Sequence, residues 1–257
     1  MTAAAEPFDR ATRRHRRNRA AAGFARFAFL KDAMVSELLA RLEDGGQSFA
    51  TALDLGCHDG RLGRALPCAA VTFADAGDAF ARMANGVCCE EDRLPFAPAS
   101  FDLVVSAGAL QSVNDLPGAL SQIRRALKPG GLFLAAFPGG ETLREIRSAF
   151  LDSELALTGR VAARVAPMVD AASAGALLQR AGFTSPVSDI ETLTIRYASL
   201  FAAMADLRGM GESNLLAVRE PLRREVLADA AARFAGRAHD GKIGVTAQII
   251  YLAGRVS

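Results

Sequence analysis

The chain has 257 residues, 51% hydrophobic and 23% charged, with 30 Lys and Arg against 28 Asp and Glu for a formal net charge of +2. That is the composition of a folded protein with a full core, one domain or one plus a cap, and it excludes a disordered or collagen-like polymer. The near-neutral total gives no reason to expect a nucleic acid partner, and no apolar run approaches the 18 residues of a membrane span. Four cysteines (Cys57, Cys68, Cys88, Cys89) lack Cys-x-x-Cys spacing and include an adjacent pair, which suits reduced thiols. Nothing like an apolar signal segment precedes Phe24.

Residues 1–7 are expected to fray. From Phe8 to Ala22 an alanine- and arginine-rich helix is predicted, with Gly23 as its stop. Arg10, Arg13, Arg14, Arg16, Arg17, Arg19, Arg26 and Lys31 follow one another with no acid between Arg10 and Lys31, so residues 1–45 read as a basic arm ahead of a domain at 46–257. Three readings of the arm stand: a solvated helix, a docking arm for an acidic partner, or a lid. A second helix is predicted from Leu30 to Leu42, leading through Gly45 and Gly46 into an apolar strand, Thr51–Leu55.

A glycine turn (Gly56, Cys57, His58, Asp59, Gly60) follows that strand, and Leu62 and Leu66 then lie four apart on one helix face. Strand, glycine turn and helix make the first half of a nucleotide-binding βαβ unit, where backbone approaching a ligand needs residues without side chains. The dinucleotide G-x-G-x-x-G pattern is absent, and so is the Gly-Lys-Ser/Thr of a P-loop. The stretch resembles motif I of the class I S-adenosylmethionine methyltransferases, an acid, one residue, then G-x-G-x-G. Asp54, Gly56 and Gly60 match, and His58 replaces the middle glycine. If that position needs φ > 0, a side chain there costs roughly 1–2 kcal/mol.

Asp75 ends a strand at Val71–Ala74, 19 residues beyond Gly56. An acid there is placed for ribose hydroxyls, or else caps the helix predicted at Asp78–Asn85. A third strand, Val87–Cys89, runs into Glu90, Glu91, Asp92, Arg93 and then Leu94-Pro95-Phe96. In methyltransferases of this class an acid four residues before Leu-Pro-Phe contacts the adenine amine, a pure donor; Glu90 holds that position with Glu91 and Asp92 beside it. The fourth strand is Phe101–Ser106, and Ala107–Asn114 floors the pocket. A helix at Leu116–Leu127, a turn at Lys128–Gly131 and a fifth strand at Leu132–Phe137 complete a doubly wound α/β pattern. Beyond it a helix is expected to begin at Pro138, residues 151–182 to be helical, Thr184–Ile195 to be a strand, and Ser199–Leu207 and Pro221–Arg237 to be helices. Gly244–Leu252 is expected as an antiparallel last strand.

Several stretches resemble one narrower family, that of complex I assembly factor 5, which is related to the malonyl-carrier-protein methyltransferase of biotin synthesis. They are Phe8-Asp9-Arg10 with the arginine run, Leu53–Cys57, Leu94–Phe96, Phe101–Ser106, Val113–Pro117, Gly139–Leu143 with Arg147, and Asp206–Asn214. The resemblance implies a class I, Rossmann-like methyltransferase fold: a mostly parallel seven-stranded sheet with an antiparallel last strand and helical additions near 139–182 and 199–237. It implies S-adenosyl-L-methionine as cofactor, held by Asp54, Gly56, Gly60, Asp75 and Glu90, with Cys57, His58, Glu91, Leu94 and Ser106 on the same loops. The family includes an arginine hydroxylase acting on the small iron–sulfur subunit of complex I and a carboxylate methylase acting on an acyl carrier.

Methyl transfer is the leading expectation, because a sulfonium carbon needs mainly alignment. Arginine hydroxylation and a non-catalytic assembly chaperone that keeps the fold are the alternatives. Only His15, His58 and His239 are present, and their positions do not suggest an iron-binding triad, so no metal site and no catalytic base is assigned. Gln111 and Ser112 stand where the family often has His-Trp. The family pattern begins at Phe8, leaving too few residues before it for a transit peptide, so a bacterial cytoplasmic protein is expected, or a mitochondrial matrix one if eukaryotic.

Overall fold

The apolar run ahead of Gly56 forms the middle of the sheet in the computed structural model, which describes residues 6–257. β1 (Phe49–Leu55) lies between β2 (Cys68–Asp75) and β4 (Phe101–Ala107), parallel to both. β3 (Val87–Cys88) extends the β2 edge, and β5 (Leu127–Pro138) pairs with β4 in parallel. β7 (Ile243–Arg255) runs antiparallel to β5 and to β6 (Thr184–Tyr197), giving a seven-stranded sheet in the order β3-β2-β1-β4-β5-β7-β6. The strand order reverses between β1 and β4, and ligands in such sheets bind beyond the carboxyl ends of the strands at that switch point.

Period-two alternation divides the core. Leu53, Leu55, Val104, Phe133 and Phe137 face α5 (Leu116–Ala126) and α7 (Ala171–Arg180). Ala52, Leu103, Val105 and Tyr251 face the opposite way, against Val35, Leu38 and Leu42 of α2 (Phe29–Asp44) and Leu62 of α3 (Arg61–Ala65). Leu38 and Leu62 are wholly buried, each worth about 2–3 kcal/mol over an exposed position. A third cluster joins α6 (Arg144–Thr158), α8 (Leu200–Met210) and α9 (Arg224–Ala235) through Ile146, Phe150, Leu200 and Phe234.

The expected elements differ from the structure in four places. Met1–Ala5 lie outside the described residues, but Pro7 is not frayed: its carbonyl accepts from Ala217 N at 2.8 Å, and Phe8 is buried. The helix expected at Pro138 begins only at Arg144, because Gly140 and Leu143 adopt φ of 51° and 60°. Residues 151–182 are not one helix, since α6 stops at left-handed Gly159 and α7 starts at Ala171, capped by Asp170, whose carboxylate accepts from Ser173 N. Lys128–Gly131 belongs to β5 and shifts its register against β4.

Candidate functional site

Asp75, Glu90, Glu91 and Asp92 are each met by an arginine from α1 (Arg10–Ala21), the helix of the basic arm. Asp9 caps α1 by accepting from Thr12 N. Arg10, Arg13 and Arg17 recur at helical spacing on one face, and that face is turned inward. Arg17 grips Asp75 with two hydrogen bonds, Nε to Oδ1 at 3.0 Å and Nη2 to Oδ2 at 2.6 Å, and both side chains are fully buried. Arg13 grips Glu91 in the same way at 2.7 and 2.8 Å and also donates to Glu90 at 3.1 Å and Ser112 Oγ at 3.0 Å. Arg10 takes Asp92 with two bonds of 2.7 Å, and Arg14 reaches the outer oxygen of Glu90 at 3.1 Å. The arm is therefore neither solvated nor free on this face; α1 is seated on the acids of these loops.

The glycine turn is built as its sequence requires. Gly56 and Gly60 have φ of 68° and 75°, and a Cβ on Gly56 would lie 2.1 Å from Ala109 Cβ and 3.3 Å from Glu91 Oε1. Of the two glutamates, Glu91 thus lies against the turn, while Glu90 sits farther out beneath Arg14. His58 does occupy the left-handed region, at φ 53°. Its backbone N–H donates to Asp75 Oδ2 at 2.9 Å, and its ring stacks on Phe24 at 4.9 Å and meets the edge of Phe80 at 5.1 Å. Burial, with Arg17 and Lys31 nearby, pushes its pKa well below the usual value, so the ring is neutral. Nδ1 lies 2.8 Å from the Gly56 carbonyl and 3.2 Å from the Lys31 ammonium. Far from intruding on the loop, His58 forms the apolar seat on which the arm's Phe24 rests.

Lys31, on α2, is buried with its ammonium 2.8 Å from Ala107 O and 3.4 Å from Gly56 O, and burial lowers its pKa. Asp54 Oδ2 accepts from Gly63 N at 2.8 Å, fixing the turn to α3. Its other oxygen and Ser106 Oγ, at the carboxyl ends of β1 and β4, are buried without a hydrogen-bond partner among the described residues. Leu94 is buried, its N–H held by Gln122, and Cys57 is buried in the turn with its thiol pushed up by burial. The expected set of Asp54, Gly56, Cys57, His58, Gly60, Asp75, Glu90, Glu91, Leu94 and Ser106 thus lies on the loops at one end of the sheet. The residues not assigned to the site in advance were Arg13, Arg17, Lys31 and Glu212, whereas Ser112 falls in the expected pocket floor. For the two arginines the signal was the acid-free arginine spacing of the arm set against the acid-rich 90–92.

Beside this cluster opens a cavity of about 740 Å³, within the range of small-molecule sites. Phe8, Ile146, Phe150, Tyr197 and Met204 make it largely apolar, and Gln111 and Ser112 form part of its wall next to the arm. Glu212, after left-handed Gly211 closes α8, also lines it, and burial pushes its carboxyl up. His15 and His239 are exposed.

The buried pairs set an acid limit. Burial opposes ionisation of Asp75 and Asp92, yet Arg17 and Arg10 hold both below the usual carboxylate range; Lys128 and Thr51 bring Asp102 to about 2. A depressed folded pKa contributes stability above the unfolded value of about 3.9 that is lost as pH falls through the folded value. Asp54 and Glu212, raised by burial, have the opposite sign and are relieved as they protonate. Denaturant unfolding is expected to show no loss of stability from pH 7 to 5 and a steep loss below about pH 4. Constant stability down to pH 2 would contradict the paired arm.

Comparison with known proteins places this arrangement. The family described as "Methyltransferase domain" matches residues 53–135, from the β1 strand to β5. Human "Arginine-hydroxylase NDUFAF5, mitochondrial" is 37% identical over 262 residues, covering 96% of this chain and 76% of that protein. "Malonyl-[acyl-carrier protein] O-methyltransferase" of Methylovorus sp. (strain MP688) is 32% identical over 274 residues, covering 98% and 90%. The chain belongs to the methyltransferase family that these two proteins share. In fold it is similar to the YcgJ protein of Bacillus subtilis, with a TM-score of 0.59 at 16% identity over 86% of this chain and 98% of that one. An S-adenosylmethionine-dependent methyltransferase of Thermotoga maritima has a TM-score of 0.56 at 16% identity over 95% and 99%. The chain carries that family's methyltransferase domain, for which S-adenosylmethionine is the cofactor. Among the described residues no helix is long and apolar enough to cross a membrane.

The residues present fit that cofactor chemically. Asp75 would take the ribose hydroxyls and Glu91 with Glu90 the adenine amine, while the orphaned oxygens of Asp54 and Ser106 accept polar groups at the strand ends.

Proposed function

We propose that the chain methylates an acceptor seated in the apolar cavity beside the glycine turn, with α1 acting as an arm over the catalytic fold and α2 forming part of that fold's core. The observation that carries this reading is the adjacency of the two sites: Ser112 accepts from Arg13, which grips Glu91, and Ser112 also lines the cavity. When bound, S-adenosylmethionine supplies the activated methyl group. The chain's own contribution is alignment and exclusion of water by Phe8, Phe150 and their neighbours; no side chain is asked to act as a strong base.

The family relations divide on the acceptor. A carboxylate on an acyl carrier is the first reading, supported by exposed Arg19 and Arg208 at the cavity, which suit an acidic partner. Modification of an arginine on a respiratory-complex subunit is the second, supported by Glu212, a carboxylate set in an apolar wall that would pair with a guanidinium.

Calorimetric titration with S-adenosylmethionine and S-adenosylhomocysteine tests the cofactor site, and Asp75→Asn is expected to weaken both by about 10- to 100-fold, the scale of a hydrogen bond to a charged group. Unchanged affinity would remove Asp75 from the site. Mass spectrometry of carriers and iron–sulfur subunits then separates the acceptors. Gain of a methyl supports the first reading, and gain of an oxygen overturns methyl transfer in favour of the second.

A further inference from the structure

Asp75 has no free lone pair to give. Its Oδ1 accepts from Arg17 Nε at 3.0 Å and from Gly77 N at 2.7 Å. Its Oδ2 accepts from Arg17 Nη2 at 2.6 Å and from His58 N at 2.9 Å. A carboxylate offers about four acceptor positions, and here all are taken. The backbone donors of Gly77 and His58 belong to the turns that shape the site and cannot leave without dismantling it. Arg17 can leave. A ribose hydroxyl on Asp75 and the Arg17 fork therefore exclude each other.

The guanidinium already has a second acceptor in view. Arg17 Nη1 is buried with no hydrogen-bond partner among the described residues, and the same holds for Glu212 Oε1, which lies 3.7 Å from it. That is just beyond hydrogen-bond length, so a small turn of one planar group would satisfy two orphaned buried atoms. The guanidinium lies over the Phe80 ring, 5.5 Å from its centroid, and the ring face tolerates such a rotation because the cation–π contact is not directional in the plane. Glu212 also lines the acceptor cavity.

We propose that Arg17 is a two-position gate, bonded to Asp75 in one setting and handed to Glu212 when a ribose takes Asp75. The inference rests on the assignment of Asp75 to the cofactor. It adds that cofactor loading is sensed at the wall of the acceptor cavity, because the arriving guanidinium neutralises and fixes Glu212. Cofactor and acceptor sites are then coupled through one side chain with two discrete partners.

The test is calorimetric titration of full-length variants with S-adenosylhomocysteine, each shown to be folded by circular dichroism. Arg17→Met removes the competitor, and affinity is expected to rise about fivefold; Glu212→Gln removes the landing acceptor, and affinity is expected to fall about fivefold, the scale of a contact-pair coupling. In the Arg17→Met background, Glu212→Gln is expected to change nothing. Arg17→Lys, which keeps the charge and loses the fork, shifts affinity in the same direction as Met by a smaller factor and serves if the Met variant does not fold. Weaker binding by both Arg17 variants would mean that Arg17 holds the cofactor, and a Glu212→Gln effect that persists without Arg17 would mean that Glu212 touches it directly. Either result overturns the gate. If Asp75→Asn leaves affinity unchanged, the cofactor assignment itself falls; if it weakens binding while the Arg17 and Glu212 variants do not move as stated, only the gate does.

Discussion

Asp75→Ala is expected to lower the unfolding free energy by about 3–5 kcal/mol, a large share of the 5–15 kcal/mol typical of a folded domain. The reason is not the loss of a favourable pair as such. Two buried charges in one ion pair roughly offset their own desolvation, whereas removing one leaves the other buried and alone. Arg17, wholly inaccessible, would lose both hydrogen bonds to Asp75 and retain only Glu212 at 3.7 Å. The N–H groups of Gly77 and His58 would lose their acceptor as well, which places the effect toward the upper end. Arg17→Met should cost less, because Asp75 keeps those two donors. Chemical denaturation of the three proteins checks the order. A loss below about 1 kcal/mol for Asp75→Ala would mean that α1 is not seated on the sheet in solution.

Much of this fold can be read from residues alone because each strand of the parallel half is a short apolar run ended by a glycine or an acid. Thr51–Leu55 before Gly56 and Val71–Ala74 before Asp75 leave little choice, and the alternation of such runs with amphipathic helices implies the doubly wound sheet. The glycine turn and the strand-end acids were legible for the same reason, since those residue types mark the carboxyl ends of the strands. The arm's role was not. A solvated helix, a docking arm and a lid all stood open, because burying a guanidinium is unfavourable unless a partner meets it, and the partners at 75 and 90–92 lie more than 50 residues away in the chain. Pairing across that separation has no local signature. The same holds for Glu212, whose position at the end of α8 brings it to Arg17 only after the chain has folded. The boundary misjudged at Pro138 has a different origin. Pro138 and the glycines at 139 and 140 were read as the start of the helix, and left-handed Leu143, which gave no compositional sign, delays it to Arg144.

Gly56→Ala is the second change with a large expected effect, about 2–4 kcal/mol of destabilisation. Roughly 1–2 kcal/mol comes from holding an alanine at φ 68°, and the remainder from overpacking, because the new Cβ would sit 2.1 Å from Ala109 Cβ. These parts are separable. Ala109→Gly in the same chain opens the space the Cβ needs, so the double variant should recover the packing part and keep only the backbone part. A thermodynamic cycle over the four proteins is expected to give a coupling of about 1–3 kcal/mol. Additive losses would show that the turn moves away from Ala109 instead of pressing on it. The carbonyl of Gly56 lies 2.8 Å from His58 Nδ1, and a Cβ on Gly56 would lie between Ala109 and the Glu91 carboxylate. Displacing this residue therefore disturbs at once the seat of the arm on His58 and the acid that Arg13 grips. The double variant is expected to restore S-adenosylhomocysteine affinity along with stability, because both depend on the same close approach of β1's exit to the 108–112 wall.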